Sequence, residues 1–469
     1  MRRPTRLLAP LALALGALGL VACEPTDLPT VDRPDDPVVL TGAEVADLVG
    51  IAPDRLVAFK FVLGRWGQVP VQVDERAALD FAAPRNAAPT GRTTLFYTDP
   101  DTWTGPDPDP TLDANDEVVF MARDAWGRAR SFDENGYRYD LAEPPGVVPG
   151  RGMEIRIHDP LAAGSASFVY LFESAGGLDP TAGQSYVDYD FNLLSGDYTT
   201  TYRVGAGPNP EDSRVTTPAY SMRFADRWIT DELRVTAGGA SGVDVLDRHK
   251  SGFAGSCVRT ETTFSQGSGA IIASRSGPVR AVRSYLGANS GPVTQRDHLL
   301  YSTRADTVTS LRVHAIPPLR DWFDYSAAAS GMTYSTNLDP GVTVDGQPES
   351  TATALVDWQM VSGPQGSIVH TSEVDTNIAF GAGANQTFYR DDLTPPETQC
   401  TGDAVEYGAS GWTLSESIPC TDPLTNCTSF LTSTRRTTFR GPGATAADAA
   451  KIAARDAAPL VATAAPFTP

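Results

Sequence analysis

Lysine and runs of basic residues are scarce in this chain. The 469 residues include three lysines beside 34 arginines, and acidic side chains outnumber basic ones by 57 to 37, for a net charge of −20. No stretch of the sequence concentrates Lys and Arg. Because affinity for phosphate backbones rests on clustered basic side chains, the composition argues against nucleic acid as a partner.

The motifs of several common enzyme classes are missing as well. The sequence has no G-x-S-x-G, no P-loop and no G-x-G-x-x-G after a strand, and its histidines form no H-E-x-x-H. Serine α/β-hydrolases, nucleotide hydrolases, dinucleotide enzymes and helical zinc proteases therefore gain no support. Any acid–base or metal site would have to be assembled across strands from the five histidines, His158, His249, His298, His314 and His370.

The first 23 residues carry the clearest positive signal. Three arginines precede the apolar run 7–22, which ends in Leu20-Val21-Ala22 just before Cys23. This run contains Pro and Gly and is shorter than the ~20 residues of a bilayer span, which favours a secretory signal. Signal cleavage would remove the three arginines and leave 34 basic against 57 acidic side chains, a net charge of −23.

The segment before and including Cys23 resembles the lipobox of bacterial lipoproteins. The resemblance implies that residues 1–22 are a signal peptide and that Cys23 carries the lipid that anchors the protein to the envelope membrane. An ordinary cleaved signal with a chance cysteine remains the alternative. The Pro- and Asp-rich residues 23–37 then predict a disordered linker. The expected location is extracytoplasmic, on the inner or the outer membrane.

Four further cysteines follow. An even number in an exported chain predicts two disulfides, and three pairings are possible. A Cys420–Cys427 bridge is slightly favoured because it closes a short loop. A metal site is the rival interpretation, but the sequence has no C-x-x-C pair to support it. The predicted disulfide cysteines are Cys257, Cys400, Cys420 and Cys427.

From residue 147 onward, short runs rich in Val, Tyr, Thr and Phe alternate with Gly, Pro, Asn and Asp. This pattern predicts a mainly β fold, a large antiparallel β-sandwich. A smaller α+β region, 38–146, precedes the sandwich domain, 147–469, and a Pro- and Gly-rich break separates them. Thr445 and Asp448 form a capping-box pattern before an Ala-rich C-terminal helix.

An acidic loop, Gly105–Asp116, has the rhythm of a twelve-residue calcium loop. Alternating carboxylates on a tight loop supply the oxygen ligands that Ca²⁺ requires. Gly105 stands where such loops begin with an acid, and Pro110 replaces the glycine of the sharp turn. A solvated surface loop is therefore the alternative to a calcium site. The candidate metal ligands are Asp107, Asp109, Asp113 and Asp116.

A predicted hairpin around the six-residue connection Ser302–Thr307 brings polar side chains to one face. In a symmetric register, Asp297 lies opposite Arg312 and Gln295 lies opposite His314. Such a face suits a polar ligand, or carries an ordinary solvated ion pair.

Two further polar segments are candidates. His249 lies in the charged stretch Asp244–Gly252, which predicts a polar loop, either functional or merely exposed. In Arg320–Tyr325 aromatic and acidic residues alternate, as suits a carbohydrate site, although the aromatics also fit simple packing. The candidate ligand-binding residues of this second segment are Asp321, Trp322, Asp324 and Tyr325.

Two stretches resemble known families. Val69–Arg76 with Asp116–Phe120 resembles a pattern of exported bacterial sugar-related proteins. Ser276–Ala281 resembles the Gly-Pro-hydrophobic-Arg turn of galactose-mutarotase-like β-supersandwiches. These resemblances imply a supersandwich-like fold and a carbohydrate ligand, bound by His, Arg and acidic side chains on a concave sheet.

Three functions remain open from the sequence. The favoured hypothesis is a lipid-anchored β-sandwich that binds a polysaccharide or an envelope partner. The second is a carbohydrate lyase, hydrolase or epimerase, with His314 or His249 as acid–base and Arg312 holding a substrate carboxylate. The third is a structural envelope lipoprotein. No cofactor other than calcium is expected.

Overall fold

The computed structural model describes residues 29–80, 91, 93–131, 136, 141–196, 210–226, 229–253, 270–288, 291–312, 318–394, 405–419 and 429–469. Within these ranges the fold is mainly β, with several antiparallel sheets, as the sequence predicts. His314 and the five cysteines lie outside the described residues, so the predicted lipid anchor and disulfides stay predictions.

Three sheets are built mainly from the N-terminal part of the chain. A three-stranded sheet has the order β1 (Pro37–Thr41), β7 (Glu117–Met121) and β4 (Gln72–Asp74), and β5 (Arg76–Asp80) pairs with β6 (Thr93–Tyr97). The five-stranded sheet has the order β27 (Val461–Pro466), β8 (Val147–His158), β9 (Ser167–Ser174), β2 (Leu56–Val62) and β3 (Arg65–Val69). Short 3-10 helices span Gly42–Leu48, Pro53–Arg55 and Ala122–Asp124.

The five-stranded sheet combines strands from the N-terminal part of the chain with the last strand, β27. Strand β9 pairs with β2, and β8 pairs with β27 from the C-terminal end. One face packs on the three-stranded sheet through Leu40, Phe120 and Ile155. Strands from both sides of residue 146 share this sheet. The predicted domain boundary there stays a prediction.

The β12 sheet and the β14 sheet each have four strands. The β12 sheet has the order β10 (Asp188–Asp190), β11 (Pro210–Thr216), β12 (Tyr220–Asp226) and β13 (Ile229–Val235). The β14 sheet has the order β14 (Leu246–Phe253), β19 (Leu319–Tyr325), β25 (Glu406–Leu414) and β24 (Asn385–Asp392). Another 3-10 helix, Ala327–Ala329, follows β19.

The nine-stranded sheet is the centre of the molecule. Its order is β15 (Ala270–Ser276), β16 (Ala281–Ala288), β17 (Gly291–Leu300), β18 (Arg304–Arg312), β26 (Phe430–Arg440), β23 (Gly366–Thr376), β22 (Gln359–Gly363), β20 (Thr333–Thr336) and β21 (Val342–Thr343). One face packs on the β12 and β14 sheets in a single core. The other face carries helix α1 (Ala446–Ala457) and the β5–β6 hairpin.

Helix α1 begins where its capping pattern predicts. The Thr445 side chain accepts a hydrogen bond from the Asp448 backbone N–H, and the Asp448 carboxylate accepts one from the Thr445 backbone N–H. This capping box satisfies two backbone donors that the first helical turn leaves open. Ala449 and Ile452 then pack on Trp358 of the nine-stranded sheet.

The end of the predicted linker is anchored to the domain. The Thr30 backbone N–H donates to the Ala166 carbonyl at 3.2 Å. The Arg33 side chain is 2% exposed and pairs with Asp36 and Asp159. It also donates to the Ala458 carbonyl at 2.7 Å, beyond the last residue of α1. Contacts of this kind order residues 30–36, whereas a Pro- and Asp-rich composition alone predicts disorder.

Across the described ranges, every helix is too short or too polar to cross a membrane.

Candidate functional site

The β14 sheet and the nine-stranded sheet enclose a buried polar centre around Asp321. The His249 Nε2 atom lies 3.0 Å from one Asp321 carboxylate oxygen, and the Ser251 hydroxyl donates to the other at 2.8 Å. From the facing sheet, the guanidinium groups of Arg296 and Arg435 lie 2.6 and 2.9 Å from the same carboxylate. We call these five residues the Asp321 centre.

Strand pairing explains why this centre forms. His249 pairs with Phe323 and Ser251 with Asp321, so the side chains of β14 and β19 alternate in phase and face the nine-stranded sheet together. The stretch 246–252 is therefore a strand, and the predicted polar loop is wrong there. His249 and Lys250 are buried there because each meets a carboxylate of β19, Asp321 and Asp324 respectively.

Two more histidines lie beside the Asp321 centre. His298 accepts or donates hydrogen bonds with Tyr285 at 3.1 Å and Thr307 at 3.2 Å. His370 is held in the same way by Tyr325 at 3.1 Å and by the Thr437 hydroxyl at 3.0 Å. Three of the five histidines thus share one buried region.

Burial sets the charge state of this region. Desolvation lowers the pKa of His249 to about 4, against the opposing pull of Asp321. Burial alone would raise the pKa of Asp321, but His249, Arg435 and Arg296 hold it well below its usual range. Desolvation also lowers the pKa of His298 and His370 well below the usual value. At neutral pH the carboxylate is charged and the histidines are neutral, so His249 carries its proton on Nε2.

The predicted residues Trp322, Asp324 and Tyr325 are buried in the same strand, β19. Asp324 makes a short ion pair with Lys250, and it accepts the Tyr407 backbone N–H at 2.8 Å. Desolvation raises the pKa of Asp324 to about 7, with Lys250 opposing. Trp322 packs edge-on against Phe388 on the outer side of the sheet. The structure therefore places these side chains in packing and ion-pair roles, facing neighbouring strands.

The predicted register of the β17–β18 hairpin is wrong. Asp297 pairs with Val308 and Gln295 with Ser310, because both strands extend toward a three-residue turn at 301–303. Arg312 pairs with Phe430 on β26 instead. Gln295 donates to the Asp297 carboxylate at 3.0 Å, away from the Asp321 centre.

The acidic loop 105–116 uses its carboxylates locally. Asp107 and Asp109 each accept the backbone N–H two residues ahead, and Asp113 accepts the Asn115 N–H. Asp116 accepts the N–H groups of Arg76 and Asp113. Desolvation raises the pKa of Asp116 to about 6.

One set of carboxylates does converge elsewhere among the described residues. Ligand oxygens of Asp345, Glu349 and Asp391 lie within 4.8 Å of one another. Desolvation and the charges of Asp391 and Asp345 raise the pKa of Glu349 to about 7. Asp391 itself accepts three backbone N–H groups, from Asp345, Gly346 and Gly408, which explains its burial.

The stretches that resemble known families meet in space. Arg280, 1% exposed, pairs with Asp74 and Glu117 and donates to the Tyr301 hydroxyl at 3.0 Å. The Gln72 side-chain oxygen accepts the Arg280 backbone N–H at 3.0 Å. We call this arrangement the Arg280 clamp. It joins the nine-stranded sheet to the N-terminal three-stranded sheet.

A groove of about 840 Å³ lies between α1, residues 355–358 just before β22, and strand β23. Trp358 and the alanines of α1 form its apolar part, while Asp357, Glu373 and Arg436 line the polar part. Glu373 is largely exposed and pairs with Arg436 at 3.1 Å. Asn337 donates to Asp357 at 3.0 Å.

Sequence reasoning missed both this groove and the two arginines of the Asp321 centre. In the strand 430–440, Leu431 and Phe439 are in phase with Arg435, a period-two signal that places Arg435 on the buried face. The groove offers no such local signal, because its walls come from separate segments.

No protein-family model and no curated protein matches this chain.

Proposed function

We propose that this protein is a lipid-anchored extracytoplasmic protein that binds a carbohydrate in the groove between α1 and β23. The groove carries the proposal, since it combines an apolar floor with acceptors and donors on its rim. Sugar rings present apolar C–H faces and hydroxyl groups together, and mixed sites of this kind recognise them. A supersandwich-like arrangement of the sheets belongs to the same proposal.

The rim supplies both kinds of hydrogen-bonding group. Asp357 and Glu373 offer carboxylate oxygens, and Arg436 and Asn337 offer N–H donors. The Glu373 carboxylate is 65% exposed, and the ion pair it makes with Arg436 is therefore weakened by solvent. Replacing that contact by hydrogen bonds to a ligand costs little.

A glycan array probed with the mature protein tests the proposal. We expect Asp357→Ala and Arg436→Ala to weaken binding of any hit by about tenfold each, the loss of a charge-assisted hydrogen bond. Asp375→Ala and Arg440→Ala are matched controls, because these side chains lie on β23 and β26, which border the groove, and neither lines it. Equal losses in both pairs, or an array without hits, would refute carbohydrate binding in the groove.

The anchor has its own test. We expect Cys23→Ala to remove both the lipid label and membrane association. A variant that remains membrane-bound would refute anchoring through Cys23 and leave the groove proposal standing.

A carbohydrate-active enzyme is the second candidate, favoured by the 3.0 Å contact between His249 and Asp321. Both side chains are buried, so the chemistry would require an opening between the sheets. Product analysis on any glycan hit tests this candidate. Turnover that disappears in His249→Gln supports the enzyme, and binding without products opposes it. A structural envelope protein would show neither binding nor turnover.

A further inference from the structure

Arg435 is buried with much of its hydrogen-bonding capacity unused. The residue is 1% exposed, and its Nη2 atom serves both the Asp321 carboxylate and the Asp321 backbone carbonyl. Its Nε and Nη1 atoms are buried without an acceptor among the described residues. Unmet donors on a buried cation are costly, so a guanidinium in this state indicates a missing acceptor.

Two neighbouring side chains share this feature. Trp412 lies directly across from Asp321 on β25, and its indole N–H has no acceptor in the described part of the chain. Ser372 lies directly across from Arg435 on β23, and its buried hydroxyl is likewise without a described partner. Opposed residues of antiparallel strands share a face, so all three point into the space between the two sheets.

The charges around Arg435 favour an anion over a neutral acceptor. Asp321 is shared by Arg435, Arg296 and His249, so it compensates Arg435 in part. Desolvation lowers the pKa of Arg435, and the nearby Arg296 charge adds to that effect while Asp321 opposes it. A water molecule would meet the donors without supplying the negative charge.

We propose that Arg435, Trp412 and Ser372 form a buried site for a small monovalent anion, a halide or the carboxylate of a ligand. Guanidinium, indole and hydroxyl groups all donate hydrogen bonds, and none of the three carries a negative charge. Ser372 also lines the groove at α1, but Arg435 and Trp412 do not, so carbohydrate binding can fail without affecting the anion site.

Chloride titration of the full mature chain tests the site. Urea unfolding is measured at constant ionic strength, with chloride replacing gluconate and with formate in a second arm. We expect saturable stabilisation, with a folding equilibrium constant about 100-fold larger at 100 times the dissociation constant. Stabilisation by formate alone would identify a ligand carboxylate as the anion, and stabilisation by chloride would identify a halide.

Variants and crystals make the test specific. Arg435→Met should abolish the anion effect, Ser372→Ala should weaken it, and Arg440→Met, an exposed arginine on the same strand, should leave it unchanged. If Arg435→Met does not fold, bromide-grown crystals of the unaltered protein should show an anomalous peak beside Arg435. An equal anion response in the wild-type and Arg435→Met proteins, or no response of the wild-type protein to either anion, would overturn the proposal. Where chloride stabilises the protein, bromide crystals without that peak would overturn it as well.

Discussion

Arg280 and Arg435 are both 1% exposed, yet their surroundings differ. Arg280 meets two carboxylates, Asp74 and Glu117, together with the Tyr301 hydroxyl. Arg435 shares one carboxylate with Arg296 and keeps two nitrogens without a described acceptor. A buried charge with a full set of partners is typical of a structural junction, and one with partners missing is typical of a site for something else.

The Arg280 clamp and the Asp321 centre also have different roles in the fold. The Arg280 clamp joins sheets from distant parts of the chain, and the pKa of Glu117 stays below its usual value because Arg280 and Arg76 outweigh the effect of burial. The Asp321 centre lies inside a core that apolar side chains already hold together. The clamp therefore matters chiefly for stability, and the centre has capacity left for a ligand.

The largest expected difference is in the stability lost when each guanidinium group is removed. Arg280→Met leaves Asp74 buried without its cation and leaves Glu117 with Arg76 alone, and we expect a loss of about 3–5 kcal/mol in the free energy of unfolding. Arg435→Met leaves Asp321 paired with Arg296, so in halide-free buffer we expect a loss below about 1 kcal/mol. Urea unfolding measures both, with the exposed Arg440→Met as control. Similar losses at the two positions would remove the distinction.

A smaller effect is expected from pH, and it reports on the Asp321 centre. An unfolded histidine binds a proton near pH 6.5, whereas His249 in the fold does so only near pH 4. Between these values the unfolded state holds the extra proton, so the contribution of His249 to stability falls as the pH is lowered. The raised pKa values of Asp116, Asp324 and Glu349 act in the opposite direction, so the test compares His249→Gln with the unaltered protein. The expected slope is about 1.4 kcal/mol per pH unit for each such histidine.

His249→Gln should reduce that slope by one histidine's share, since Gln can still donate to Asp321 but does not titrate. His158→Gln, which makes the same substitution at a half-buried histidine on β8, is the control for replacing an imidazole by an amide. The clamp contributes only at the acid end of this window, where an unfolded glutamate binds a proton near pH 4.5 while Glu117, with its lowered pKa, stays charged. An unchanged slope in His249→Gln would contradict the assigned neutral state.

The smallest expected difference concerns single hydroxyls. Tyr301→Phe removes the oxygen that accepts from Arg280, and we expect it to cost about 1–2 kcal/mol. Ser372→Ala removes a hydroxyl that has no described partner, so its cost without halide should stay within about 0.5 kcal/mol. Urea midpoints measured side by side test this. A costly Ser372→Ala would indicate that the hydroxyl is already satisfied.

Local patterns predicted the features that depend on local contacts. The capping pair Thr445 and Asp448 defines where α1 begins, and Leu63-Gly64 closes the β2–β3 hairpin with both residues at positive φ. Gly64–Gly67 has the composition of a turn, but Arg65 and Trp66 belong to β3. Turn residues mark a turn more reliably than they mark its length.

Contacts between distant strands could not be predicted from local sequence patterns. The predicted pairing of Asp297 with Arg312 fails because Arg304–Thr307 belongs to β18, which moves every partner along the hairpin. His249 and Asp321 were both singled out from the sequence, yet their contact depends on the pairing of β14 with β19. Arg435 was missed because its partners lie more than 100 residues away.

The attachments of Thr30 to Ala166 and of Arg33 to the end of α1 together fix where the N-terminal segment leaves the domain. If Cys23 carries the lipid, the seven residue steps from Cys23 to Thr30 span at most about 25 Å. The domain would then be held within about that distance of the bilayer surface, within reach of the ligands that lie closest to the lipid.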